Sequence, residues 1–428
     1  MKFKKGVIPN NVKDLWLLIN NNNGENMVDE IGIIPHGVTH LHLNYQKKLI
    51  NQLKPGIIPN SVVELDYNGN IDVGVIPNSV IKLGINWYDE EFCKKIEPGE
   101  IPYGVKELSL GMVYNYPLYK GMIPKSVEKL ELSFDFNHPI EIGDIPYGVK
   151  DLHLGVDFNK PLKKGVIPDS VIILWFSDEY NHPLDPGIIP QNVKKLYLSN
   201  SFTCELEEGS IPYGVEILWI GKSYDKVLKK GIIPSTVKFL DIYSRHDILR
   251  EDSIPHGTIK VHLGYENITK ELYIPDSVYF LDLSCTKHKL NINSSPNNIK
   301  ILHVNKNFEE NNPEILDIIP KLYEYKTSYE SIFIKENFDK FNGIILTNHP
   351  KYVVCYHIYK GSEYTEDEMS YDISKKDDFD IYIGNFTKDK FIGNVICKEL
   401  CEKIFEPSRL IKFCKDNNLS FCDLMNIY

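Results

Sequence analysis

The sequence predicts a β-rich solenoid, with one short parallel strand per repeat of about 22 residues and a smaller α/β-type unit capping its C-terminal end. Three observations predict it. Thirteen Ile-Pro dipeptides punctuate the first two thirds of the 428-residue chain, and seven consecutive ones, from Pro102 to Pro234, stand 22 residues apart. Each is followed by alternating apolar residues, as at Leu108 and Leu110 or Leu196 and Leu198. An aromatic-Asn pair then recurs at one phase: Tyr114-Asn115, Phe136-Asn137, Phe158-Asn159 and Tyr180-Asn181.

Aligned on its proline, a unit reads Gly-x-Ile-Pro-x-Gly/Ser-Val-x-x-Leu-x-Leu, then a polar stretch, the aromatic-Asn pair and the next Gly. Ile-Pro-x-Gly fits a type I turn with Pro at its second position and Gly at its fourth. Leu-x-Leu has the period of a short strand, so both leucines face inward and the residue between them faces solvent. The Ile before Pro, the Val after the turn, the two leucines and the aromatic residue twelve after Pro are the expected core. An Asn recurring inside an apolar frame reads as a ladder that hydrogen-bonds the backbone of neighbouring coils. Gly121, Gly143, Gly165, Gly187, Gly209 and Gly231 share one phase, which calls for either a positive backbone torsion or close stacking of coils.

The same pattern recurs around Pro9, Pro35, Pro59 and Pro77, and again around Pro255 and Pro275. At Pro296 a serine replaces the isoleucine, but Ile299, Leu302 and Val304 keep the apolar positions. This makes about fourteen units over residues 1–305, with a separate domain at 306–428. A chain this long is too large for one ordinary core, but an array escapes that limit because each coil packs only on its neighbours.

Aromatic-Asn, then Pro-Ile or Pro-Leu, then Gly-x-Ile-Pro at a 22-residue period resembles the FNIP repeat. That family is similar to leucine-rich repeats and is found in amoebae and in the giant viruses that infect them. The resemblance covers residues 1–305 and implies a leucine-rich-repeat-like solenoid without catalytic residues. Such proteins often carry an N-terminal F-box, which implies a substrate adaptor for a ubiquitin ligase. Here Ile8-Pro9 leaves no room for one.

Stacked repeats build an extended surface and seldom a catalytic cleft, so the expected role is a non-enzymatic scaffold for protein–protein interaction. The residue seven after each proline lines the open sheet face: Trp16, His42, Asp66, Gly84, Ser109, Glu131, His153, Trp175, Tyr197, Trp219, Asp241, His262, Asp282 and His303. Trp175, Tyr197 and Trp219 fall on successive coils, and two residues earlier stand Ile173, Lys195, Ile217 and, on the next coil, Phe239. Trp175, Tyr197, Trp219, Ile173, Ile217 and Phe239 are therefore the candidate partner-binding residues. The same rings equally suit cross-strand stacking that stabilises the sheet, or packing under another part of the chain. His153 and His262 stand too far apart along the array to share a metal.

A formal charge of −11 and a pI near 5.7 argue against nucleic acid as a partner, and arginine occurs only at Arg245, Arg250 and Arg409. No apolar stretch is long enough to span a membrane and no secretory leader precedes the first coil, so the expected site is intracellular, in the cytoplasm. Eight scattered cysteines fit reduced thiols better than a disulfide framework.

Beyond residue 305, the stretches 353–359 and 380–384 read as strands, and 314–325, 388–405 and 408–416 as helices. Cys397, Cys401, Cys414 and Cys422 have a spacing that structural zinc sites use, but the first two lie at i, i+4 on an apolar helical face. Buried thiols are the commoner outcome, and neither metal nor cofactor is assigned. Cys355 and His357 lack a third orienting group, so thiol catalysis is not assigned either. An enzyme in residues 306–428, with the solenoid selecting substrates, is the alternative of a different class. The first coil starts almost at Met1, so its edge is expected to be covered by a second copy or by a partner.

Overall fold

The computed structural model describes residues 4–19, 30–45, 53–69, 71–87, 93–264, 273–283 and 299, together with the backbone of the strands beyond residue 300. The chain divides into two units, Met1–Thr258 and Ile259–Tyr428.

The first unit is a parallel β-solenoid of about eleven turns. Its described strands are β1 (Asp14–Ile19), β2 (His40–Tyr45), β3 (Glu64–Tyr67), β4 (Lys82–Ile85), β5 (Glu107–Ser109), β6 (Lys129–Glu131), β7 (Asp151–His153), β8 (Ile173–Trp175), β9 (Lys195–Tyr197), β10 (Ile217–Ile220) and β11 (Phe239–Ile242). Each pairs in parallel with the next, residue for residue, so Leu41, Leu65, Leu83, Leu108 and Leu130 form one inward column. The sequence repeat is thus also the sheet register.

The core follows from that register. The Ile before each proline from the second coil on, the Val after it and the paired apolar residues of each strand are buried. Behind the sheet the twelfth residue after proline contributes a column of rings. Phe136 stacks on Phe158 at 6.0 Å, Phe158 on Tyr180 at 6.1 Å and Phe202 on Tyr224 at 6.0 Å. All are fully enclosed. Ring pairs at this separation lie within the favourable range for stacked aromatics.

The Ile-Pro turn differs from the expectation by one residue. The Val105 N–H donates to the Pro102 carbonyl at 3.2 Å, and the same bond recurs at Val127, Val149, Val171, Val193, Val215 and Val237. Proline therefore opens the turn instead of taking its second position. Its carbonyl supplies the acceptor, and its missing N–H costs nothing there. A second turn precedes it, in which Met122 N–H reaches the Tyr119 carbonyl at 3.1 Å with Gly121 third at φ 91°. That is the geometry of a type II turn, and it decides the glycine column in favour of the torsion: a Cβ on Gly121 would meet nothing within 4 Å. Gly148, in the Ile-Pro turn, answers to close stacking, since its Cβ would lie 2.3 Å from the Lys125 carbonyl oxygen. Serine at the matching place of the next coil uses the same approach, with Ser170 Oγ donating to Val149 O at 2.7 Å.

The asparagine ladder forms as expected, on the exposed side of the coils. The backbone N–H of Asn137 donates to Asn115 Oδ1 at 3.1 Å, Asn159 to Asn137 at 3.0 Å and Asn181 to Asn159 at 3.1 Å. Thr203 N–H closes the run on Asn181 Oδ1 at 2.9 Å. Each amide thus satisfies one backbone donor in the coil that follows it. At the strand entrance Glu128 accepts from Lys106 at 2.9 Å and from Lys150 at 2.7 Å, bridging three coils.

In the second unit β12 (Lys260–Leu263), β13 (Phe280–Leu283), β14 (Ile301–Val304) and β15 (Glu324–Lys326) continue parallel pairing in series. An antiparallel run follows through β16 (Ser331–Ile334), β17 (Gly343–Leu346), β18 (Val353–Lys360), β19 (Asp377–Thr387) and β20 (Lys390–Ile396). The strands expected near 353–359 and 380–384 are β18 and β19. Two helix expectations are corrected: Glu324 and Tyr325 lie in β15, and Lys390–Ile396 is β20. β20 pairs on both edges, with β16 and with β19, and that backbone demand outweighs the helical spacing of its apolar residues. The stretch 408–416 and the cysteine group from Cys397 to Cys422 lie outside the described residues.

Candidate functional site

The outward column of the first unit is the one the proline ruler picks out. Trp16, His42, Asp66, Gly84, Ser109, Glu131, His153, Trp175, Tyr197, Trp219 and Asp241 stand opposite one another in consecutive strands. In the second unit His262, Asp282 and His303 do the same. The column divides into a polar stretch and two aromatic ones.

At β1 to β3, the Trp16 ring stacks on His42 at 3.6 Å and 17°, and His42 Nδ1 meets Asp66 Oδ2 at 2.7 Å. Over β6 and β7 the groups are charged: Lys129 Nζ contacts Glu131 at 2.9 Å, and His153 Nε2 contacts Asp151 at 3.1 Å. From β7 onward rings take over. His153 stacks on Trp175 at 5.2 Å, and Trp175 lies on Tyr197 at 3.4 Å with 4° between planes. Trp219 packs against Tyr243 at 5.3 Å. Beside this column run Asp151, Ile173, Lys195, Ile217 and Phe239, each in register with the next.

The six candidate residues thus share one face, but they are not equally open. Trp175, Trp219, Ile173 and Phe239 are half-exposed. Tyr197 and Ile217 retain only 7% and 6% of their surface, against the expectation that the column faces solvent. The cause is lateral packing: a flat ring laid on its neighbour at 3.4 Å excludes water from both facing surfaces. Lys195 is 3% exposed between Ile173 and Ile217. Burial, reinforced by the Asp241 and Asp151 carboxylates, pushes the Tyr197 phenol far above its ordinary range, so it stays protonated.

Because Trp175 and Tyr197 turn their faces toward each other, a partner arriving from solvent meets their edges. Ring edges carry the positive side of the aromatic quadrupole, which suits backbone carbonyls and aliphatic side chains. Tyr243 was not among the sequence-predicted residues. Its signal was an outlier: nine residues after proline the neighbouring coils carry Ser133, Gly155, Ser177, Ser199 and Gly221. A tyrosine in a column of the smallest side chains marks a change in the surface.

Among the described residues no group of three histidine, cysteine or acidic side chains is placed to hold a metal ion. The Cys204 thiol donates to Asn181 Oδ1 at 3.4 Å, and burial pushes it above its ordinary range, away from the reactive thiolate. No helix among the described residues is long and apolar enough to cross a membrane.

Residues 92–135, 136–179, 180–223 and 205–244 match the FNIP Repeat family. Among solved structures the chain is similar to CroV588, a giant-virus protein whose crystal structure is described as a novel circular LRR protein structure. The TM-score is 0.60 at 18% identity, over 76% of this chain and 51% of that one. This chain therefore spans about half the length of that relative, and the likeness establishes the fold. No curated protein matches significantly.

Proposed function

We propose that this chain, a leucine-rich-repeat-like solenoid built on FNIP repeats, is a non-enzymatic scaffold that holds a protein partner on the open sheet face over β7 to β11. The observation that carries this reading is the grading of exposure there. Half-open Trp175, Trp219, Ile173 and Phe239 rest on closed Tyr197 and Ile217, so the rings that would be touched are held in place before a partner arrives. Binding then costs little side-chain entropy, the property that lets aromatic residues concentrate interface energy.

The cross-stacking that suits a structural role also serves this one, because it fixes the rings. The partner is a protein that offers aliphatic side chains and main-chain carbonyls to ring edges. The net charge of −11 disfavours nucleic acid, and eight scattered cysteines without a disulfide framework's spacing fit a reducing cell interior, where we place the protein in the cytoplasm.

The test is affinity capture from the native cell with the full chain and with Trp175→Ala/Trp219→Ala. Hot-spot truncations of about 2 kcal/mol each, roughly thirty-fold apiece, should empty the variant of its partner while its circular dichroism and cooperative melting show that it still folds. A folded variant that captures the same protein equally well would refute the assignment. Ubiquitin-ligase subunits among the captured proteins would move the reading to a substrate adaptor.

A further inference from the structure

We propose that the partner held over β7 to β11 sets a glutamate or aspartate side chain on Ile172, between Lys150 and Lys194; this rests on the reading of that face as a docking surface. The residue four after each proline stands at the entrance to its strand. From β5 to β11 the series is Lys106, Glu128, Lys150, Ile172, Lys194, Glu216 and Lys238. Each backbone N–H donates to the carbonyl of the residue before it in the series at 2.7–2.8 Å, so the seven stand in one continuous line. Their charges alternate at every coil but the middle one, where Ile172 takes the place of a third carboxylate.

The rest of the series shows what a carboxylate does in such a place. Glu128 accepts from Lys106 at 2.9 Å and from Lys150 at 2.7 Å, one coil away on either side. Those bonds hold its carboxyl well below the usual carboxylate range. Glu216 accepts from Lys194 at 3.0 Å, and Lys238 donates instead to the Gly257 carbonyl at 3.3 Å. Lys150 and Lys194 thus each hold an acid on the side away from Ile172. An ammonium carries three donors, so neither lysine is used up by the acid it holds.

The spacing fits a second bridge. Lys150 and Lys194 are two coils apart, about 9.6 Å, the same span that Glu128 bridges between Lys106 and Lys150. Four lysines against two glutamates leave the series with two positive charges, in a chain whose net charge is −11. Ile172 itself is 40% exposed, while Val171 beside it is closed off. An apolar spot between two cations suits a side chain that joins methylenes to a carboxylate. The spot lies at the rim of the proposed face, because Ile172 immediately precedes Ile173 of β8. Charges at a rim select among partners more than they tighten binding.

Two measurements test this apart from the reading beneath it. Filling the place from within needs no partner. Ile172→Glu should melt about 1–3 °C above Ile172→Gln in low salt, and level with it near about 1 M salt, where charges are screened. Equal melting in low salt overturns the proposal, since lysines that do not grip a glutamate of the chain would not grip one from outside.

For binding, the full chain is presented with random short peptides that carry a fixed central glutamate. Retained peptides should weaken roughly tenfold when that glutamate is exchanged for glutamine, and should be lost to Ile172→Glu, whose own carboxylate fills the place. Retention that ignores the exchange or survives Ile172→Glu overturns the proposal, and the docking face still stands if Trp175→Ala/Trp219→Ala abolishes that retention. Peptides lost to Ile172→Glu but kept by the ring variant support the carboxylate grip and overturn the ring face. A wild-type chain that retains no peptide overturns both.

Discussion

Replacing Phe158 by leucine probes what holds the coils to one another. Phe158 is fully buried, with Phe136 at 6.0 Å on one side and Tyr180 at 6.1 Å on the other, both nearly parallel to it. Leucine keeps most of the apolar surface but forfeits two ring contacts worth about 0.5–1.5 kcal/mol each, for an expected loss of about 1–3 kcal/mol. Alanine would add a cavity and bring the loss to about 3–5 kcal/mol. Urea unfolding followed by circular dichroism reads the loss as a shift of midpoint at a common slope. The decisive measurement is the double-mutant cycle with Phe136→Leu, whose expected coupling is about 0.5–1.5 kcal/mol. The cycle of Phe158→Leu with Tyr224→Leu, three coils or about 14 Å away, should be additive. Additivity of the adjacent pair would show that the rings merely fill volume, and would refute stacking as the tie between coils.

Two further outcomes follow from the turns and the charge ladder. Gly121→Ala should cost about 1–3 kcal/mol through its torsion alone, and Gly121→Asn less, because asparagine tolerates positive φ; equal thermal shifts for the two would refute the torsional reading. The hydrogen bonds from Lys150 and Lys106 lower the Glu128 pKa from 4.5 to about 2, so its contribution to stability is complete above about pH 4.5 and disappears as the pH falls toward 2. The melting difference between wild type and Glu128→Gln should therefore be largest near neutral pH, shrink across that window and weaken with salt, since the site is open to solvent.

The alternation of Leu108 and Leu110, anchored on Pro102, was enough to place every described face residue of the first unit, because a parallel in-register array has no freedom to slip one strand without exposing a whole column. The turn was less legible. Ile-Pro-x-Gly satisfies the preferences of a type I turn with Pro second and Gly fourth, and only the Val105 N–H to Pro102 carbonyl bond shows that the turn starts one residue later. Burial on the face was not legible either. Tyr197 and Ile217 occupy positions that alternation assigns to solvent, but alternation says nothing about packing between neighbours on the same side. Past residue 305 a further Ile-Pro, Ile319-Pro320, precedes β15, which pairs in parallel with β14, although the in-phase residues around it are too degenerate to extend the repeat by sequence alone. In β20 the apolar residues carry a helical spacing as well as a strand's, and pairing with β16 and β19 decides between them.

The prolines of the early coils are unevenly spaced, by 26 residues from Pro9 to Pro35, 24 to Pro59, 18 to Pro77 and 25 to Pro102. Yet β1 through β5 remain aligned residue against residue. Length is therefore absorbed away from the strands, and the outward positions form a lattice with fixed pitch along the array. Such a lattice can be rewritten one square at a time. An insertion between strands leaves the outward pattern where it was, and a substitution in front changes the pattern without touching the frame, so surface and architecture are free to diverge independently.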